Sequence, residues 1–191
     1  MQDLLSWLWK SGVAAAIARG AWVAWTWYVA RRDAQAGKRA IVGRGEISTA
    51  LERLVDNTPA DYAHIIHVHN GGGDLKAGLP MYMSCIHEEH RPGFRALKHD
   101  VQGLELDKHY RKMVATLIEV KDAAAAVADV DDELLQTVLA AMQARYARSI
   151  LLRVTKKGIF FLRTTSSREA LDDQQFQLAY RRTVSTLRKH Y

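Results

Sequence analysis

Residues 62–73 read YAHIIHVHNGGG, and the fold turns on how this stretch is understood. From Tyr62 to His69, β-branched and aromatic residues alternate with imidazoles, the two-residue period of a strand. Asn70–Asp74 then supplies Asn-Gly-Gly-Gly-Asp, a turn in which positive φ carries no steric penalty. In a strand, His67 and His69 share one face and His64 points to the other. A phosphate loop of the Walker type needs Lys-Ser or Lys-Thr after its last glycine and a helix start to aim amides at the anion. Here Asp74-Leu75-Lys76 follows Gly73, and Leu79-Pro80 follows Gly78. The Gly-x-Gly-x-x-Gly spacing does not fit either, so the glycines read as a turn.

Working outward, Leu79–His90 (LPMYMSCIHEEH) reads as a second strand, stopped by Arg91-Pro92-Gly93. Strict alternation puts Cys85, His87 and Glu89 on one face. If the two strands are antiparallel neighbours, His67, His69, Cys85 and His87 converge with zinc-type ligand chemistry. The competing reading is a row of histidines on the solvent side of a half-exposed sheet, since no Cys-x-x-Cys or His-Glu-x-x-His spacing is present. Ser84-Cys85 beside His87 is no nucleophile and base, because residues two apart on a strand are not aimed at each other. Glu88-Glu89, and His109 with Asp107, read as ordinary surface.

Elsewhere, Glu46–Asp56 (EISTALERLVD) has apolar residues at 47, 51, 54 and 55, which predicts a helix closed by Asn57-Thr58-Pro59. Residues 94–111 are mixed, with one short strand. Met113–Val120 fits strand or helix, and Ala123–Ala126 is a low-complexity run. Asp132–Arg145 predicts a helix with apolar positions 134, 135, 138, 139 and 142. Ser149–Thr155 and Gly158–Thr164 predict a hairpin about Lys156-Lys157-Gly158. Asp172–His190 predicts a closing helix with apolar positions 176, 180, 184 and 187. Strands between helices at both ends imply an α+β fold, an antiparallel sheet with N- and C-terminal helices on one face.

The first 30 residues differ from the rest. All five tryptophans of the chain, Trp7, Trp9, Trp22, Trp25 and Trp27, fall there, and Arg31 and Arg32 open a basic run. A long apolar stretch rich in interfacial aromatics and followed by positive charge has the pattern of a membrane anchor. Ser11–Ala30 as a helix would reach roughly 30 Å at ~1.5 Å per residue, enough to span a bilayer. The positive-inside rule would then place everything after Arg31 in the cytoplasm. Arg19 near the bilayer centre, costing about 2.5–3.5 kcal/mol, and the alanine and glycine content count against spanning. The alternatives are a helix lying in the interface and a helix buried in a larger assembly. Lys10 and Arg19 lie on opposite sides of such a helix, so no single polar stripe forms. The sequence thus divides into an anchor over 1–30, a basic linker or helix extension over 31–45, and an α+β domain over 46–191.

Length and composition agree with that division. The chain has 191 residues, one domain with something attached, and a formal charge of +6. Its single cysteine excludes an intramolecular disulfide and fits a reducing compartment. Arg181, Arg182, Arg188 and Lys189 lie on the closing helix without interleaved aromatics, which argues against a nucleic-acid groove.

The order of elements over 46–191 resembles that of GAF or PAS-type sensory domains, GAF the closer. The resemblance is carried by a first helix, by strands beginning with YAHIIHVHNGGG, and by a variable middle. The closing hairpin SILLRVTKKGIFFLRTT and a last helix complete it. The cysteine and histidine arrangement that ties a bilin in phytochromes is not recognisable, nor is the Asn-Lys-Phe-Asp-Glu signature of cyclic-nucleotide-binding members. The resemblance implies a small-molecule-binding or dimerising module without catalysis of its own, and it names no cofactor. With the anchor, the expectation is a membrane-anchored cytoplasmic ligand- or partner-binding module that contacts membrane lipid and a protein partner or a second copy. The alternatives are a structural component of a phage or secretion-type assembly, and a metal-dependent hydrolase built on the four-residue metal set.

Overall fold

The computed structural model describes residues 13–76, 78–130, 133–168 and 170–191. The chain divides into two compact units, Met1–Arg44 and Gly45–Tyr191. One helix, α1 (Val13–Asp56), runs through the division, so residues 31–45 are helix extension. In its last turns Ile47, Leu51, Leu54 and Val55 are buried, the i, i+4, i+7, i+8 stripe of a helix packed on one side. It stops where Thr58 Oγ1 donates to the Leu54 carbonyl at 2.6 Å and Pro59 denies the next turn a donor.

The strands are β1 (Tyr62–His69), β2 (Tyr82–His90), β3 (Leu104–Glu105), β4 (Asp122–Ala126), β5 (Tyr146–Thr155) and β6 (Gly158–Ser166). They form one antiparallel sheet in the order β3-β2-β1-β6-β5-β4. The remaining helices are α2 (Lys108–Val120), α3 (Glu133–Ala141) and α4 (Gln174–Leu187). Asp107 caps α2 by accepting from the Tyr110 amide, and Asp173 caps α4 by accepting from that of Phe176. The stretch Met113–Val120, ambiguous in sequence, is helical.

Central strands β1 and β6 are buried on both faces, and alternation sorts their side chains between two cores. Ala63, Ile65 and Leu162 meet α1 and α4 through Leu51, Leu54, Phe176, Tyr180 and Val184. Tyr62, Ile66, Val68, Ile159 and Phe161 meet α2, α3 and the loop 91–103 through Tyr110, Leu117, Leu139, Leu97 and Val101. The N- and C-terminal helices therefore share one face, as expected, and the middle of the chain covers the other.

Two irregularities set the side-chain directions. Ile65 pairs with His87 but Ile66 pairs with Cys85, so Ile86 is an extra residue and β2 bulges. In β5, Leu152 is extra between the Leu151–Phe161 and Arg153–Phe160 pairs.

The N-terminal expectation needs correction. No helix of the described residues is long and apolar enough to cross a membrane, which removes the spanning reading for Val13–Ala30. Alanine and glycine contribute little transfer energy, tryptophan and tyrosine are amphipathic, and Arg19 interrupts the run. Trp22, Trp25 and Trp27 are exposed, as are Arg31 and Arg32, while Trp7 and Trp9 lie outside the described residues.

Candidate functional site

The sheet face beneath α2 and the loop 91–103 holds a connected set of buried polar groups. His64 on β1 and Arg163 on β6 are cross-strand partners on this face, and they are 1% and 2% exposed. Arg163 Nε donates to Ser149 Oγ at 3.1 Å and Nη1 donates to Tyr110 Oη at 3.1 Å. Its guanidinium also lies 5.7 Å from the Tyr110 ring centroid and 5.2 Å from that of Phe161. Among the described residues no carboxylate pairs with it.

His64 Nε2 stands 3.4 Å from Glu88 Oε1, and the imidazole stacks on Tyr62 with centroids 5.3 Å apart. Burial lowers the His64 pKa more than Glu88 raises it. The ring is therefore neutral, and Nε2–H donates to the carboxylate, which can only accept. Nδ1 is then a bare acceptor, buried and without a partner.

Glu88 read as surface in sequence, yet its side chain is 4% exposed. It accepts from the amides of Leu97 at 2.8 Å and Lys98 at 2.5 Å, and so holds the loop 91–103 on the sheet. Burial pushes the Glu88 carboxyl up, but the His64 hydrogen bond and the two amides outweigh it and keep the pKa below the ordinary value. Cys85 N donates to the Val101 carbonyl at 2.7 Å, and Gln102 Nε2 donates to the Cys85 carbonyl at 2.6 Å. At the root of the loop, Arg91 Nη2 donates to the carbonyls of Val55, Thr58 and Ala60 at 3.3, 2.6 and 3.1 Å. The loop that covers the site thereby also holds the end of α1.

The four residues of the expected metal set do not come together. His67 and His69 share a face, with ring centroids 5.0 Å apart, and that face is opposite the one Cys85 joins. The β2 bulge separates Cys85 from His87: Cys85 packs with Met83 and Ile66, while His87 lies opposite Ile65. His67 stacks on Phe160 at 4.3 Å, and His69 Nε2 meets Ser84 Oγ at 3.0 Å. The Cys85 thiol is pushed up to about 12, by burial first and by Glu88 second. It therefore stays protonated and is neither a ready metal ligand nor a nucleophile. Among the described residues no group of three or more histidine, cysteine or acidic side chains is placed to hold a metal ion.

This geometry can be set beside known proteins. No protein-family model and no curated protein sequence matches the chain. Solved structures do match. A phycocyanobilin-bound GAF domain from a cyanobacterial phytochrome aligns at TM-score 0.55 and 14% identity, over 84% of this chain and 90% of that one. The fold is GAF-like. The GAF domain of a two-component sensor histidine kinase from Bacillus halodurans aligns at TM-score 0.54 and 13% identity, covering 76% of this chain and 90% of that one. The GAF domain region of a putative membrane protein from Geobacter sulfurreducens aligns at TM-score 0.54 and 9% identity, covering 81% and 96%. At these identities the likeness concerns the fold. His64, Glu88 and Arg163 lie on the sheet face covered by α2, α3 and the loop 91–103.

Arg163 sits in GIFFLRTTS, and its one sequence signal is a lone charge inside an otherwise apolar strand run. Glu88 and Arg91 carry no signal of that kind, because their partners, loop and turn backbone together with the side chains of His64 and Asp61, are brought in by the fold.

Proposed function

We propose that this chain is a GAF-like module that binds a small ligand on the covered sheet face, conveys binding to α1, and performs no catalysis of its own. The observation that carries the reading is Arg91. It is the first residue after β2, it roots the loop over the site, and it holds the Val55 carbonyl in the last turn of α1 and those of Thr58 and Ala60 in the turn that follows. Glu88, three residues earlier, holds the same loop from within the site. A ligand that shifts the loop must therefore act on both the sheet and the helix end. The phytochrome neighbour, described as phycocyanobilin-bound, supports a ligand-binding reading of the domain.

Native mass spectrometry of the full chain, followed by a thermal-shift screen of small molecules, tests this. A ligand that raises Tm and slows hydrogen exchange in the last turn of α1 supports it. In Arg91→Ala the rise in Tm should persist and the slowing in α1 should vanish. A screen with no stabilising compound and no retained molecule would overturn the reading.

A second reading concerns the upstream part of α1. Trp22, Trp25, Trp27 and Tyr28 are 68%, 62%, 61% and 56% exposed. Exposed tryptophans of this kind suit the headgroup layer of a membrane. The proposed cover is membrane lipid at headgroup depth, without a crossing of the bilayer, with Arg31 and Arg32 facing anionic headgroups. Co-flotation with vesicles containing anionic lipid should be lost in a Trp22→Ala/Trp25→Ala/Trp27→Ala variant. A chain that stays out of the vesicle fraction and runs as a larger particle by light scattering would point to a protein assembly instead.

A further inference from the structure

The turn after β1 carries a reactive pair of residues. Asn70 precedes Gly71, the order in which a backbone nitrogen can close on a side-chain amide to form a five-membered ring. Gly71 has no side chain to shield its nitrogen, and Gly71, Gly72 and Gly73 are exposed. What the fold adds is a base. Gly71 N–H donates to His69 Nδ1 at 3.1 Å. With Nδ1 accepting, the proton of a neutral imidazole sits on Nε2, which meets Ser84 Oγ at 3.0 Å. Ser84 Oγ is itself fixed by the Gly103 amide, also at 3.0 Å. The ring therefore presents its lone pair to the one N–H whose removal makes a nucleophile. The Asn70 side chain is held within the same turn. Its Nδ2 donates to the Asp74 carbonyl, while Oδ1 is buried without a partner among the described residues.

We infer that Asn70 is a self-modification site, deamidated with His69 as the general base. His69 Nδ1 takes the proton from Gly71 N as that nitrogen bonds to Asn70 Cγ. The Cγ–Nδ2 bond breaks, and Nδ2 leaves as ammonia with the proton that His69 returns. Water then opens the cyclic imide at either of its carbonyls, leaving aspartate or isoaspartate at position 70. Such a base acts by geometry, standing within hydrogen-bond reach of the proton it removes. The change is not silent. A carboxylate can only accept, so the bond to the Asp74 carbonyl cannot re-form, and isoaspartate adds an atom to the backbone between β1 and β2.

The test follows the full chain near neutral pH over weeks by peptide mass spectrometry, which reads the fraction of the position-70 amide converted to acid. Parallel samples are held in guanidinium chloride, and Asn57, the only other asparagine of the chain, serves as the internal control. In the native state His69→Phe should convert roughly tenfold more slowly than the parent, a modest share of what a positioned base contributes. In denaturant the two should convert at the same rate, because the contact with Gly71 is gone. Ser84→Ala keeps the imidazole but frees its tautomer, and should fall between parent and His69→Phe. If His69→Phe does not fold, slower native conversion in Ser84→Ala decides in its place. A native parent that does not convert, or a native rate that the variant leaves unchanged or raises, would overturn the inference. A gap that persists in denaturant would overturn it too, since the effect would then belong to the local sequence and not to the fold.

Discussion

Gly158 opens β6 against the His67 ring. A Cβ there would run into that imidazole and come within 2.7 Å of the Val68 carbonyl. Because the obstacle includes backbone, relief needs a strand to move, and Gly158→Ala should cost about 1–3 kcal/mol, measured by urea denaturation. At His64 and Glu88 the prediction concerns pH. The His64 pKa is lowered in the fold, so its share of stability is present above the unfolded value of about 6.5 and is lost as pH falls below it. The Glu88 pKa is also lowered, and its share is lost further down, as pH falls through the unfolded range near 4.3 and toward the folded value. Tm should therefore decline in two steps on acidification. Glu88→Gln should remove the lower step, and His64→Gln the upper. Cys85, buried with a thiol held up near 12, should react with a thiol reagent on the native chain only as fast as the protein opens, and fully in urea.

At the scale of elements, β4 shows what a local pattern cannot supply. Its Asp-Ala-Ala-Ala-Ala run is mostly exposed, and alanine is depleted in strands, so the sequence signal was only that of a low-complexity stretch. The strand exists because its backbone pairs with β5 and because Arg148 holds Asp122 through two hydrogen bonds, at 2.9 and 2.6 Å. Arg148 also donates to the Leu171 carbonyl at 3.1 Å and lies over the Tyr180 ring. Arg148→Leu should cost about 1–3 kcal/mol and speed amide exchange along β4 more than along β6. The opposite case is β1. Its alternation serves two cores, and its bounds are those read from the sequence. The bulge in β2 was invisible locally, because it depends on the register against β1. That bulge is what separates Cys85 from His87 and dissolves the expected metal set.

For the whole molecule, the two cores draw their buried residues from Ile47 onward. A chain starting at Gly45 should therefore unfold as one cooperative transition with a Tm close to that of the full chain, measurable by circular dichroism. Along the chain, periodicity and punctuation determined the helices at 46–56 and 172–190, the first strand, the closing hairpin and the α+β class. These rest on hydrophobic burial, which reads out as spacing between neighbours in sequence. The tertiary structure alone decided which side chains meet. The strand order set His64 opposite Arg163, the register placed Glu88 under the loop amides, and Arg91 reached the end of α1 across 31–36 positions. The physical reason is that a hydrogen bond or an unpaired charge has meaning only with its partner in place. No spacing along the chain encodes a partner brought near by the sheet.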